Sequence, residues 1–422
     1  MIYDYTGNPL QMYPELYGDG VHDDTSALQD IVDNYESVIL PANLVLKITS
    51  PIEIDISKCH HFDGGNSTIK ATGDITAFVI SGSLTGSMTA NPSTLDAGII
   101  GDEGSFIFEK CKITNANAQQ GTGIEIDGCF KTNILDCYIF MLKTGIVIQN
   151  RNRDIKISGN HIYGCWLYGI HIQNTCNLHQ CNIEDNIINY AYYNVFFDEP
   201  VQIANFQFTG NDIEISNYPT VNDKTGFRCM KLLSGDGIDG QFSEIEIVGN
   251  TIQGHTGSNS IIEIVGGSLR YVRQITINGN HISNCSGDMI VLNKVYDINI
   301  SGNSMANAGG YCISTDGQIQ SMIVGNNLCS DVGATNGGFL KNVGQLRKST
   351  ICGNSSKTSV ALPFTITGSA VYDVMINGNV IAGDNTSITV KPSGGDRVML
   401  CNNICTSGTY DTNATVTASN NI

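Results

Sequence analysis

One pattern constrains this chain more than any other feature: apolar-x-apolar-x-Gly-Asn-x-apolar. It stands in full at Ile155-Lys-Ile157-Ser-Gly159-Asn160-His-Ile162, and again over Phe206 to Ile213, Ile245 to Ile252, Ile275 to Ile282, Ile298 to Met305 and Val374 to Ile381. Alternation on both sides of a Gly-Asn pair reads as a strand, a tight turn and a second strand. Weaker copies lie at Cys181 to Ile188, Met322 to Leu328, Thr350 to Ser355 and Val398 to Ile404. The turn Asn falls at 160, 186, 211, 250, 280, 303, 326, 354, 379, 403 and 421, mostly 23 to 30 residues apart, with one step of 39 and a last step of 18. A fixed period of this size marks a stacked array in which each repeat touches only its neighbours, so 422 residues need not divide into several compact domains.

A third strand precedes each copy as Gly-apolar-x-apolar: Gly123-Ile-Glu-Ile126, Gly145-Ile-Val-Ile148 and Gly169-Ile-His-Ile172, then Asn194-Val-Phe-Phe197 and Gly226-Phe-Arg-Cys229. Three strands per coil predict an all-β fold, a right-handed parallel β-helix of about 12 or more coils with a short N-terminal capping helix. A β-sandwich would lack the fixed turn chemistry. Gly and Asn both tolerate positive φ, and Asn side chains stacked at the sheet spacing of about 4.8 Å can bond up and down the array. Cys111 and Cys137 take the ladder place in two earlier coils. The middle residue of the third strand points outward, giving a stripe of Glu125, Val147, His171, Phe196, Arg228, Glu263 and Val291. Residues 1–16 read as a lead-in, 17–60 as an opening motif with the capping helix and first strands, and 61–422 as the β-helix.

Composition excludes several classes. With 46 Gly, 9 Pro and 15% charged residues the chain is neither a disordered polymer nor a membrane protein, and no apolar run reaches the roughly 18 residues that span a bilayer. Met1 to Gln11 lacks the basic and then apolar segments of a secretory signal. A net charge of −18 disfavours unspecific attraction to nucleic acid or anionic membrane. A polyanionic substrate would therefore need a local basic patch or a bound cation. The 14 Cys show no framework spacing and read as reduced packing residues; Cys401-x-x-x-Cys405 lacks a companion pair of zinc ligands. No cofactor or metal is indicated, a calcium ion being compatible but not indicated.

The segment from Tyr17 to Gln29, Tyr-Gly-Asp-Gly-Val-His-Asp-Asp-Thr-Ser-Ala-Leu-Gln, followed by Val38-Ile-Leu-Pro41, resembles the opening motif of the pectate-lyase-like superfamily of right-handed parallel β-helices. Asp24 or Thr25 can cap a helix running to about Tyr35, whose Ala27, Leu28, Ile31 and Val32 would cover the first coil. The superfamily includes polysaccharide lyases, glycoside hydrolases, epimerases and phage tailspikes that bind and cut surface polysaccharides. The opening Met1-Ile-Tyr-Asp-Tyr-Thr-Gly-Asn-Pro-Leu10 is similar to the lead-in of phage and prophage tail proteins from Gram-positive hosts. The resemblance implies a tailspike-like protein that binds and depolymerises a bacterial surface polysaccharide by hydrolysis or β-elimination, in a virion tail or outside the cell. Rival readings are a bacterial lyase or hydrolase outside a phage and a non-catalytic glycan-binding or structural tail protein. Polygalacturonase motifs are missing: Asp23-Asp24 lies in the opening motif and Gly254-His255-Thr256 only imitates Gly-His-Gly.

Glycan contact is expected along coils 163 to 240. Trp166, the only tryptophan, lies with Tyr163 and Tyr168 in the turn before one outward strand, and Tyr190, Tyr192 and Tyr193 occupy the equivalent turn one coil on. Aromatic faces can stack on sugar rings, although aromatic edges also cap solenoids. Asp198-Glu199 follows, then Asp236 and Asp239 in the insertion from about Ser216 to Ser243. Extra loop in a regular solenoid is more often functional than structural. Glu199, Asp236 and Asp239 are candidate acids, bases or nucleophiles for hydrolysis; His171 and Arg228 are candidate base and charge stabiliser for elimination. Acidic turns on an acidic protein can equally be solvated surface. Arg151 and Arg153 read as turn residues that bind an acidic sugar or neutralise neighbouring acids. The last residues still read as coil, Val398-Met-Leu400 echoed by Val416-Thr-Ala418, and an uncovered coil exposes strand edges. Together with the resemblance this implies a parallel homotrimer, with polysaccharide but neither nucleic acid nor membrane as partner.

Overall fold

A computed structural model describes residues 2–3, 9–10, 16–84, 105–173, 176–198, 201–214, 228–233, 241–254, 260–267, 272–332, 337–358, 364–382, 387–406, 409–412, 416–419 and 421. The chain forms two units, the first reaching Gln207 and the second formed by the described residues from Phe208 on. Apart from a short antiparallel pair, Ile2–Tyr3 with Pro9–Leu10, both are built of parallel strands, and the chain is a right-handed parallel β-solenoid of about 13 turns.

In the first unit, one sheet stacks Asp19–Asp23, Val45–Ile48, Thr68–Ala71, Lys112–Asn115, Tyr138–Phe140, His161–Tyr163 and Ile187–Asn189. A second row runs from Ser37–Ile39 through His61–Asp63, Phe106–Glu109, Thr132–Leu135 and Arg151–Ser158 to Asn177–Glu184. A third runs from Ile52–Asp55 through Thr76–Ser81, Gln120–Asp127, Leu142–Gln149 and Tyr168–Ile172 to Tyr193–Phe197. Inward residues stack like on like: Ile124, Ile146, Ile170 and Val195 lie in register and are fully buried. In three successive coils Gly123, Gly145 and Gly169 precede the inward Ile where the backbone of the next coil approaches closely. A Cβ on Gly145 would stand 2.5 Å from the carbonyl oxygen of Gly169.

The capping helix spans Thr25–Asn34 and buries Ala27, Leu28, Ile31 and Val32. Asp24 occupies the N-cap without a side-chain cap bond; its carboxylate instead accepts from the amides of Tyr17 at 2.6 Å and Gly18 at 3.3 Å. Asp23 accepts from the Thr25 amide at 3.1 Å in its place. Gln29 closes the first coil as a strand would, its amide donating to the Glu53 carbonyl at 2.9 Å and accepting from the Glu53 N–H at 2.8 Å. An otherwise open sheet edge is thereby paired.

The second unit repeats the three-row plan, with its inward row Met230, Ile262, Ile290, Ile313, Leu340, Phe364 and Ile388 in register. Its turn carries an unbroken Asn ladder through 211, 250, 280, 303, 327, 354, 379, 403 and 421, each Nδ2 donating to the next Oδ1 at 2.8 to 3.1 Å. In the first unit Asn160 bonds Asn186 in the same way, and the Cys137 amide donates to Asn160 Oδ1, which places Cys137 on the ladder. The expected ladder residue at 326 is corrected to Asn327. Asn326 takes the left-handed backbone (φ 54°) that Gly takes elsewhere, and its neighbour carries the ladder. The Gly-Asn division of labour is therefore positive φ for the first residue and hydrogen bonding for the second.

All fourteen cysteines are free, and all but Cys352 and Cys401 are buried. Burial pushes the Cys165 thiol up to about 12, which keeps it an inert packing group. Among the described residues no helix is long and apolar enough to cross a membrane.

Candidate functional site

The outward stripe of the first unit stands as the alternation required: Glu125, Val147, His171 and Phe196 are Cα partners across successive strands. It forms a recessed floor, since Val147 is only 3% and His171 only 9% exposed. At its upper end the side chains become a stack of rings. Tyr168 lies over His171 with centroids 4.0 Å apart and over Phe196 at 5.1 Å. Tyr193, in register with Tyr168, packs on Phe196 at 4.7 Å, and Tyr192 meets Tyr193 edge to face at 4.8 Å. A break in the strand alternation produces this: 168 and 171, and 193 and 196, each flank two consecutive buried residues, Gly169-Ile170 and Asn194-Val195, so four rings from two coils share one face.

Asp198 is the charge at this shelf. Its Oδ2 is 3.0 Å from His171 Nε2, ion-pair distance once the imidazole is protonated, although the approach is too oblique for a hydrogen bond. Burial, then the negative charge of Asp198, pushes the Tyr168 phenol up to about 12. The shelf therefore offers flat ring faces, a neutral phenol and one imidazole–carboxylate pair. Stacking on sugar rings and proton transfer through His171 are the chemistries open to it.

The remaining expected residues are distributed differently. Tyr163 and Tyr190 belong to another cluster, on the sheet that carries Tyr138 and His161; they meet at 5.0 Å, and Tyr138 stands 4.9 Å from His161. Trp166 is half-buried in the turn between the two clusters, its backbone amide bonded to the Leu142 carbonyl at 2.7 Å. Glu199, Asp236 and Asp239 lie outside the described residues.

Arg228 is corrected. It is not on the outward stripe of the second unit, where Lys231 is the Cα partner of Glu263. The pattern Gly226-Phe-Arg-Cys229 imitates the strand signature three residues early, whereas Met230 and Leu232 fill the core positions. The Arg228 guanidinium is paired with the Glu263 carboxylate, so its charge is already balanced. Arg151 and Arg153 are not turn residues but open the strand Arg151–Ser158, where they are 1% and 7% exposed. Arg153 Nη1 donates to the Asn152 and Asn177 carbonyls at 2.9 and 3.0 Å, a structural role.

One polar cluster escaped the sequence reading. His61 and Asp63 on one strand and Glu109 on the next bring ligand-type atoms within 4.8 Å of one another, the only such trio among the described residues. Lys110 Nζ stands 3.2 Å from Asp63 Oδ2 and 3.0 Å from Glu109 Oε1, so the chain's own ammonium bridges the two carboxylates and offsets one of their two charges. The trio could hold a metal only by displacing that lysine. The 48-residue separation of His61 from Glu109 hides the contact until the coil length is known.

The family described as "Right handed beta helix region" matches residues 93–231. No curated protein matches the chain in sequence. Among solved structures, the chain is similar to a tailspike protein of E. coli bacteriophage HK620 in complex with a hexasaccharide, at 13% identity and a TM-score of 0.48, over 98% of this chain and 78% of that one. It is also similar to the A-module of the Azotobacter vinelandii mannuronan C-5 epimerase AlgE6, at 12% identity and a TM-score of 0.45, over 96% of this chain and 97% of the module. By its own strand pairing and by the family match, the chain has the right-handed parallel β-helix fold.

Proposed function

We propose that the chain is a tailspike-like protein that binds a bacterial surface polysaccharide along the outward face of its parallel β-helix and depolymerises it, acting in a virion tail or outside the cell. The observation that carries this reading is the ring shelf of Tyr168, His171, Tyr193 and Phe196, which interrupts an otherwise regular sheet face with stacked aromatic surface beside one carboxylate. Rings spaced by successive coils suit an extended sugar chain, each face covering an apolar face of a sugar. Cleavage follows one of two courses: hydrolysis through two of Glu199, Asp236 and Asp239, or elimination with His171 as base, the imidazolium it becomes being paired with Asp198. Arg228 does not serve the second course, because its charge is spent on Glu263.

The test is incubation of the chain with capsular and cell-wall polysaccharides, with products read by mass. Hydrolysis adds one water per cut; elimination adds none and leaves an unsaturated end. Tyr168→Ala is expected to lower retention of the polysaccharide about tenfold, the scale of one lost stacking contact. Retention without products would favour the non-catalytic binder. No retention of any polysaccharide by the wild-type chain would end the reading. The same proposal includes a homotrimer, supported by apolar side chains exposed along the second unit.

A further inference from the structure

A second face, in the second unit, has the chemistry of a ligand track. Arg273, Tyr296, Gln320, Arg347 and Tyr372 are Cα partners on five successive coils, one outward side chain per coil. Four steps of the sheet spacing carry this row over about 19 Å. The residue after each member has a left-handed backbone: Gln274, Asp297, Ser321, Lys348 and Asp373 have φ between 53° and 56°, except Lys348 at 49°. That left-handed bend, repeated in register on every coil, makes two consecutive side chains point outward, so the row is double. Leu346 and Ser349 are buried on either side of Arg347 and Lys348.

The charges of this track are largely unspent. Among the described residues no carboxylate pairs with Arg273, Arg347 or Lys348, and the buried Nε of Arg347 has no hydrogen-bond partner. Arg397 is paired with Asp373 at 2.6 Å. The two guanidinium groups of the row lie over tyrosine rings, Arg273 at 6.0 Å from Tyr296 and Arg347 at 5.5 Å from Tyr372. A surface cleft of about 360 Å³ opens between Gln320, Arg347, Lys348, Tyr372, Asp373 and Arg397. On a chain of net charge −18 a polyanion is repelled from most of the surface. In this track Arg273, Arg347 and Lys348 outnumber the carboxylates, Asp297 and Asp373, the latter already paired with Arg397, so the local charge is positive.

We propose that the double row binds an extended polyanionic glycan, one carrying a carboxylate or similar fixed anion along its repeat. Tyr296 and Tyr372 stack on sugar rings, while Arg273, Arg347 and Lys348 take the anions at intervals set by the coils. Glycan is favoured over nucleic acid because the cations are few and alternate with rings and a neutral amide, a pattern that reads sparse charge. The proposal shares with the reading above only the ligand class and uses another face in the other unit.

The experiment measures binding of the full chain to a labelled oligogalacturonate, to a neutral dextran oligosaccharide of similar length and to a single-stranded oligonucleotide. The expected result is binding of the oligogalacturonate that weakens at high salt and little binding of dextran. Lys348→Glu, at an exposed bend where the fold is not at risk, and Arg347→Gln are each expected to lower that affinity about tenfold, with Arg347→Lys restoring most of it. Tyr168→Ala and His171→Ala leave it unchanged. Equal affinity for dextran, tighter binding of the oligonucleotide, or indifference to Lys348→Glu would overturn the track. Loss of binding in Tyr168→Ala but not in Lys348→Glu would assign the glycan to the first unit instead.

Discussion

Asn280 shows what one residue contributes to a coil. Its Oδ1 accepts from both the backbone amide of Asn250 at 3.0 Å and the side-chain amide of Asn250 at 2.9 Å, while its own Nδ2 reaches the Ile247 carbonyl at 2.8 Å and Asn303 at 2.9 Å. It is 1% exposed, so water cannot replace these bonds. Asn280→Ala orphans the buried backbone N–H of Asn250 and removes the donor to the Ile247 carbonyl, whereas Asn250 Nδ2 keeps the Phe208 carbonyl, and the expected loss is on the order of 3 kcal/mol. Denaturant unfolding would measure it; a midpoint equal to that of the wild type would mean the ladder is ornament. At this scale the sequence was most legible. Gly-Asn pairs announced their turns, and the single slip, from Asn326 to Asn327, came from a doubled Asn in which either member could have been the ladder residue. Cys137 in the ladder place was readable for the same reason, the flanking alternation surviving the substitution.

The strand pair Tyr168–Ile172 and Tyr193–Phe197 is the element from which the shelf is made, and it carries a pH signature. The Tyr168 phenol is held protonated up to about 12 by burial and by Asp198, whereas an unfolded tyrosine titrates near 10. The folded value is the higher one. Its contribution to stability is therefore fully present below about pH 10 and is lost as pH rises towards 12. Tyr168→Phe has no proton to lose, so its melting temperature should fall less than that of the wild type across this window. A constant difference between the two at every pH would show that Tyr168 titrates as it does when unfolded. Sequence reading found this pair because Gly-apolar-x-apolar and its Asn194 variant keep the register. It failed at Arg228, since a long step blurs register and Phe227 to Leu233 offers several apolar alternations. The charged track escaped for a related reason. Its members lie outside the apolar signature, at left-handed bends that make consecutive residues point outward, so that Arg347 and Tyr372 become neighbours only once coils are stacked.

At the scale of the whole molecule the question is association. The second unit exposes two apolar ribs on either side of its Asn ladder. Ile323, Met375 and Met399 stand in register on one strand row with Thr350 between them, and Leu328, Val380 and Ile404 on the other with Ser355 between them. All six are among the exposed large hydrophobic residues, Leu328 at 54% and Met399 at 51%. The fold does not demand this. In lower coils the same two positions hold Glu246, Thr276 and Asn299, and Thr251, His281 and Ser304. Apolar surface that replaces polar surface at equivalent positions marks an interface rather than a core. Ribs parallel to the coil stack can meet their copies in parallel association, the geometry that the homotrimer proposed above requires. Light scattering coupled to size exclusion should therefore find three times the single-chain mass of 45.4 kDa. Met399→Lys with Val380→Lys places two charges in the contact and should release single chains that still unfold cooperatively, now independently of protein concentration, because both side chains face solvent in one copy. A wild-type species of single-chain mass at micromolar concentration would refute the trimer. A trimer that survives both lysines would move the interface to another face.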